Sequence, residues 1–312
     1  MLLLIQYTII FASVLILVAL GGCFSEHSGV INIGLEGIMV MGALGGALMM
    51  KFAPAGLPDI GMIVLVVLAA VILGMLYSLL LAVAAINFKA DQTLVGTAMN
   101  LLATAAATVF VKAMNTAADS GNVSATIQYI EQKKAFLVNI GGFEFNWFML
   151  MALIALVCSW VVLYRTRFGL RLMACGEHPQ AADSVGINVY RMRYAGVLIS
   201  GFLGGVGGLA YVIPSVQTWN FEVGVAGAGF LALAVMIFGQ WKPFHIFGAA
   251  MFFAVFKSLA NIADSTFLAQ LHWSSNIYNM MPFVASMVIL AFTSKNSMAP
   301  KAEGIPYDKG SR

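Results

Sequence analysis

Charge is the first thing this sequence lacks. Of its 312 residues only 9% are Asp, Glu, Lys or Arg, while 61% are hydrophobic. A soluble domain carries about 25% charged and about 45–50% apolar residues. This chain therefore cannot cover itself with a water-facing surface, and it reads as an all-α polytopic membrane protein. Its formal net charge of +3 is too small to point to a nucleic-acid partner. Cysteine is scarce too. Cys23, Cys158 and Cys175 form no CxxC, which excludes a disulfide framework and a cysteine metal site. The four histidines are scattered without ligand spacing, so no metal is expected. No G-x-x-x-x-G-K-[ST], nucleophile elbow or HExxH occurs, so the chain is expected to bind no ATP by a P-loop and to be no enzyme by itself. "LGGC" at 20–23 looks like a lipoprotein cleavage box. No Lys or Arg precedes Lys51, however, and a signal peptide needs a positive start.

What is present is a series of apolar runs. Bounded by polar or Gly/Pro clusters, they predict spans at 5–24, 33–50, 60–86, 93–111, 146–164, 194–213, 225–239, 244–262 and 276–293, an architecture of about 9–10 membrane helices. The run at 60–86 is long enough to tilt or break. A transmembrane domain over 1–293 and a tail over 294–312, read as a disordered cytoplasmic end, follow. Orientation comes from the basic residues. The 165–193 loop holds Arg165, Arg167, Arg171, Arg191 and Arg193. Placing it in the cytoplasm also puts Lys89, Lys242 and the tail inside, and the N-terminus outside. Loop 112–145 is then external, either a solvated connector or a docking surface for an external partner.

Two stretches break the apolar pattern. In "GVINIGLEGIMVMGALGG" (29–46), Asn32 and Glu36 stand i, i+4 on one helical face, flanked by Gly29, Gly34 and Gly37. In "SVQTWNFEVGVAGAGFLALAVMIFG" (215–239), Trp219, Asn220, Phe221 and Glu222 precede Gly224, Gly227 and Gly229. Ionisable groups in a span are costly and face a cavity or a partner. Both stretches read as a polar turn, a glycine-broken helix start and an apolar helix. By the alternation above, they have opposite orientation. Such a pair points to an inverted repeat with a site near the midplane; the alternative is two ordinary turns with capping residues. Gly201, Gly204, Gly205 and Gly208 in "SGFLGGVGGLA" allow close helix contact, within or between subunits. Lys257 reads as a snorkelling residue.

In the basic loop, Pro179 suits a helix start and Gly186 a stop, so "PQAADSV" predicts about two helical turns, lying on the membrane or docking a partner. The residues here resemble a known family. "GEHPQAADSVGIN" is similar to the coupling segment of ABC-importer permeases of the branched-chain amino acid and simple-sugar class, and "GVINIGLEGIMVMGA" to their broken-helix motif. The likeness extends over nearly the whole chain. "DQTLVGTAMNLLATAAAT", "AGAGFLALAVMIFGQWKP" and the terminal "GIPYDKGSR" bring it nearest to the smaller permease subunit of nucleoside ABC transporters. His178, Trp241 and Lys242 depart from the pattern.

The resemblance implies a type II importer permease fold in a bacterial cytoplasmic membrane. It also implies a heterodimer with a larger related permease, separate cytoplasmic ATPase subunits that bind ATP and Mg, and an extracellular substrate-binding lipoprotein. Gly176, Glu177, His178, Pro179, Ala181, Ala182, Asp183 and Gly186 are then the ATPase-coupling residues. Ala181 and Ala182 would seat in a groove, with Glu177 and Asp183 making polar contacts. Asn32, Glu36, Trp219, Asn220 and Phe221 are candidates for the translocation path, since aromatic and amide groups suit a flat base and its hydroxyls. Glu36 either touches the solute or holds the broken helix through backbone N–H groups. A sugar permease, a proton- or sodium-coupled secondary transporter using Glu36 and Glu222, and a non-transporting receptor built on the 112–145 loop are the alternatives.

Overall fold

Helices that are apolar on every side have no solvent face to choose, so they pack against one another and against lipid. The computed structural model describes residues 2–54, 57–129, 134–141, 143–215, 218–262, 277, 280–285, 287–288 and 298–310. Among them run α1 (Leu2–His27), α2 (Leu35–Phe52), α3 (Asp59–Ala82), α4 (Gln92–Ala118), α5 (Trp147–Arg165), α6 (Arg167–Glu177), α7 (Pro179–Ser184), α8 (Val189–Ser215), α9 (Ala228–Phe238) and α10 (Pro243–Ile262). Seven of these are long and apolar enough to cross a membrane; α9 is apolar but only 11 residues long. The protein is a multi-pass, all-α membrane protein. Eight expected spans coincide with α1–α5 and α8–α10. Half of the ninth, 276–293, lies outside the described residues.

Burial separates two layers. Four-fifths or more of the apolar window of α8 is buried (83%), against 33% for α3, α4 and α5. Helices α1, α2 and α8 form the inner layer, with α3, α4, α5 and α10 packed around them. The small residues of α8 make this packing possible. A Cβ on Gly42 of α2 would lie 2.5 Å from the Gly205 carbonyl oxygen, so the two backbones touch directly. The glycine pattern of α8 thus serves contacts inside the subunit.

The two ends of the bundle differ. At the loop end, Gln6 Nε2 donates to Glu144 (3.2 Å) and Lys51 Nζ to Asn115 Oδ1 (3.0 Å). Helix α4 runs to Ala118, beyond the expected 111, and the 112–145 segment carries strands rather than a featureless connector. Strand β1 (Thr126–Gln128) pairs antiparallel with β4 (Thr218–Asn220), with Ile127 opposite Trp219. Strands β2 (Leu137–Ile140) and β3 (Phe143–Asn146) form a hairpin, and Asn146 Oδ1 caps α5 at Met149 N, 3.0 Å.

At the tail end lie the turn after α1, the α3–α4 and α9–α10 turns, α6, α7 and residues 298–310. Helix α3 does break, but at its end, in a π-helical turn (Val83–Asn87). Helix α6 is an addition to the expected single short helix; Thr166 Oγ1 caps it by accepting from Gly169 N. The reading of 294–312 as a disordered end is corrected for 298–310. Ala302 and Tyr307 are buried there, and Ala302 N donates to Gly176 O at 2.8 Å.

Candidate translocation site and coupling surface

Between α1 and α2, residues 28–34 are not helical, yet Ser28, Val30 and Asn32 are fully buried. Backbone at membrane depth needs partners from the protein itself. Side chains from two helices, α1 and α4, supply them. Ser25 Oγ donates to Val30 O (2.8 Å), Ile31 N donates to Gln92 Oε1 (2.7 Å), and Asn100 Nδ2 donates to Ile33 O (2.9 Å). Asn100 Oδ1 also accepts from Gly37 N (2.8 Å), so one amide clamps both sides of the break. Asn32 Nδ2 donates to Ser200 Oγ of α8 at 2.8 Å. Of the three expected break glycines, Gly29 (φ +91°) makes the turn after α1 and Gly34 caps α2. Gly37 lies inside α2 and is corrected: it lets α4 approach, since a Cβ there would meet Met99 O at 2.9 Å.

The second break lies between β4 and α9. Ala226 (φ +51°) and Gly227 (φ +79°) turn the chain so that its N–H groups open toward α2. Glu36 fills that opening. Its Oε1 accepts from Gly227 N at 2.8 Å and its Oε2 from Gly229 N at 2.6 Å. Successive N–H groups at a helix start form a site for an anion, and the helix dipole favours one there. Gly229 permits the approach, because a Cβ would stand 2.5 Å from Glu36 N. From this junction α2 runs toward the loop end and α9 toward the tail end. At about 1.5 Å per residue, α9 covers roughly half of a hydrocarbon core about 30 Å thick. The two broken elements meet head to head, and Glu36 is the joint.

The other expected path residues lie elsewhere. Phe221 is buried in the core with its N–H on Ala125 O, and Asn220 Oδ1 caps Glu222 N at 3.0 Å. Trp219 packs edge-on against Tyr211 of α8, with ring centroids 5.7 Å apart, and Tyr211 packs on Phe11 at 6.5 Å. A 20 Å³ cavity beside the second break is lined by Phe11, Tyr211, Gly227 and Lys257, among others. Lys257 therefore borders an internal cavity, which the snorkelling reading did not foresee. Glu222 is exposed and ion-paired with Lys112 at 2.5 Å, which holds its carboxyl below the ordinary range. Glu36 and Glu222 thus form no common site. Asn100, Ser200 and Tyr211 escaped the sequence reading, although an amide amid the apolar residues of α4 is the kind of signal that marks such a position.

On the tail end, α7 spans two short turns and Gly186 (φ +84°) ends it. Glu177, His178, Ala181, Ser184 and Val185 are exposed, Val185 by 75%. Pro179 and Ala182 are buried, Ala182 against Cys175, Val189 and Tyr307. Of the paired alanines only Ala181 faces outward, and the expectation that Ala182 seats in a partner's groove is corrected. Asp183 faces Lys309 at 3.8 Å.

Over residues 4–291 the chain matches the family described as branched-chain amino acid transport system / permease component. The chain belongs to that family. Among its relatives, the guanosine ABC transporter permease protein NupQ of Bacillus subtilis (strain 168) is 40% identical over 98% of this chain and 96% of its own length. The nucleoside ABC transporter permease protein NupC of Lactococcus lactis subsp. cremoris (strain MG1363) is 38% identical over 96% and 95%. The nucleoside ABC transporter permease protein NupB of the same organism is 25% identical over 78% of this chain but only 68% of itself. Family membership makes the joined breaks part of a permease.

Proposed function

We propose that this chain is the smaller permease subunit of an ATP-driven importer of nucleosides. The observation that carries the substrate class is the near full-length similarity to NupQ and NupC, named for guanosine and nucleoside transport. The similarity to both NupC and the longer NupB supports a heterodimer with a larger related permease. In this reading separate cytoplasmic ATPase subunits bind ATP and Mg, and an extracellular lipoprotein delivers the solute. The exposed row Glu177, His178, Ala181 and Val185 meets the ATPase. The tail end, with five arginines in the 165–193 loop, faces the cytoplasm, and the N-terminus lies outside.

The joint at Glu36 supports alternating access. The half-length α9 and the longer α2, which meet at their N-termini, separate or tilt as units, whereas a continuous helix cannot. The aromatic series Trp219–Tyr211–Phe11 leads from the loop end to the cavity beside Gly227, and offers ring faces and edges to a nucleobase. Glu36 is occupied by two N–H groups, which favours a structural role over solute contact and weighs against a proton-coupled carrier. The test is uptake of labelled guanosine by the complete complex in liposomes. Uptake that requires ATP, that unlabelled nucleosides inhibit and glucose does not, is the expected result. Uptake that proceeds without ATP and collapses with an uncoupler refutes it.

A further inference from the structure

Residues 298–310 cross the tail end and touch α1, the first break, the α3–α4 and α9–α10 turns, α6, α7 and α8. Met298 N donates to Gln240 Oε1 at the α9–α10 turn, 2.9 Å. Ala302 N donates to Gly176 O at the end of α6, 2.8 Å. Glu303 hydrogen-bonds Glu26 of α1, whose carboxyl also accepts from the Trp241 indole N–H at 2.6 Å and from the Asn32 backbone N–H of the first break. Gly304 (φ +75°) lies over Ile31 of the first break. Arg193, 1% exposed at the start of α8, donates to Ile305 O at 3.0 Å and lies beside Gly29. Tyr307 is buried with Cys175, Ala182 and Val189, edge-on to Tyr190 at 5.4 Å. Asp308 pairs with Lys89 of the α3–α4 turn (2.8 Å) and Lys309 with Asp183 of α7 (3.8 Å).

We propose that this segment is a transmission strap, which carries displacement of α7 to the first broken element through Tyr307, Ile305 and Gly304. Helix α7 is only six residues long and has few contacts of its own inside the bundle, chiefly Pro179 and Ala182. A push on so short a helix dissipates unless a stiff, packed neighbour passes it on. The strap is that neighbour. Only four residues lie between Ala302, against α6, and Tyr307, against the buried face of α7, and Gly304 among them rests on the break itself. The backbone of the strap also hydrogen-bonds three different elements, the α9–α10 turn, α6 and α8, which side-chain packing alone would not give. Its residues are positioning residues for coupling and touch no solute.

The proposal rests on the reading of α7 as the ATPase contact, and the experiment separates the two. In the purified full complex, three quantities are measured: ATPase subunit retained, ATP hydrolysed, and nucleoside taken up per ATP. Tyr307→Ala is expected to retain the ATPase and its hydrolysis while uptake per ATP falls about five- to tenfold, the low end of an ordinary coupling between sites. Tyr307→Phe restores it. Lys89→Glu with Lys309→Glu, which disturbs no buried residue, lowers uptake per ATP in the same direction. Unchanged uptake per ATP in both Tyr307→Ala and the double variant overturns the strap, and so does a loss that only follows loss of assembly. Ala181→Arg tests the underlying reading. If it leaves ATPase retention intact, the contact assigned to α7 fails and the strap with it; if it abolishes retention while Tyr307→Ala leaves coupling whole, only the strap fails.

Discussion

A carboxylate at bilayer depth persists only where its charge is met, and Glu36 is met by two backbone N–H groups instead of a cation. Hydrogen bonds to a charged group contribute about 1.5–3 kcal/mol each. Glu36→Gln keeps one of them and turns an amide NH2 toward the other N–H. The expected outcome is a lower unfolding temperature in detergent, with KM for the remaining uptake unchanged. Glu36→Ala leaves both donors bare and falls further. An unchanged unfolding temperature with a raised KM would place Glu36 on the solute. Gly229→Ala is the complementary test. Its Cβ would stand 2.5 Å from Glu36 N and 2.6 Å from Cα, both backbone positions that cannot swing aside, so little folded protein is expected by size-exclusion chromatography. The sequence pointed to Glu36 through its i, i+4 partner and flanking glycines. It could not show that the residue binds the other break, since nothing local encodes a contact 193 residues away.

Among elements, the short helices and the strap carry the consequences. The aromatic series predicts that Trp219→Ala raises the KM for guanosine more than it lowers the unfolding temperature, because Trp219 is half-buried and edge-packed rather than central. Parallel uptake and melting measurements check this. For the strap, pH supplies a handle. Burial lifts the Glu303 carboxyl from 4.5 to about 7. A carboxyl raised in the docked state holds its proton more tightly there than when free, so its contribution to docking is complete below pH 4.5 and is lost as pH rises through 7. Trypsin cleavage after the exposed Lys301, corrected for the enzyme's own pH profile, should be faster at pH 8 than at pH 6. Glu303→Gln should flatten that difference. Helix α6 and the strap were the least legible elements. Helix α6 is announced only by a Thr166 cap and by arginines alternating with buried Leu172 and Cys175. The polar, glycine-containing tail has the composition of a disordered end, and only its partners order it.

For the whole molecule, most of the fold was readable because a bilayer imposes long apolar runs that composition alone reveals. The positions of α1–α5, α8 and α10 followed from those runs, and α9 fell short of full length because its break shortens it. What composition could not give was which breaks meet, since Glu36, Asn100 and Gly227 come from three distant parts of the chain. Alternation sorted the inter-span segments into two groups, and the structure gathers residues 28–34, the α3–α4 turn, the 165–193 loop, the α9–α10 turn and the strap at one end. That end holds Arg165, Arg167, Arg171, Arg191 and Arg193 with Lys89, Lys242, Lys301 and Lys309, while the other holds Lys51, Lys112 and Lys134. Basic residues flanking spans are retained in the cytoplasm. In a Cys158→Ser background, with Cys23 and Cys175 buried, Val123→Cys at the loop end should react with a membrane-impermeant maleimide in intact cells. Gly310→Cys, exposed on the strap, should react only after lysis. The reverse pattern would put the coupling surface outside the cell, where no ATPase could reach α7, and would remove the importer reading together with the strap.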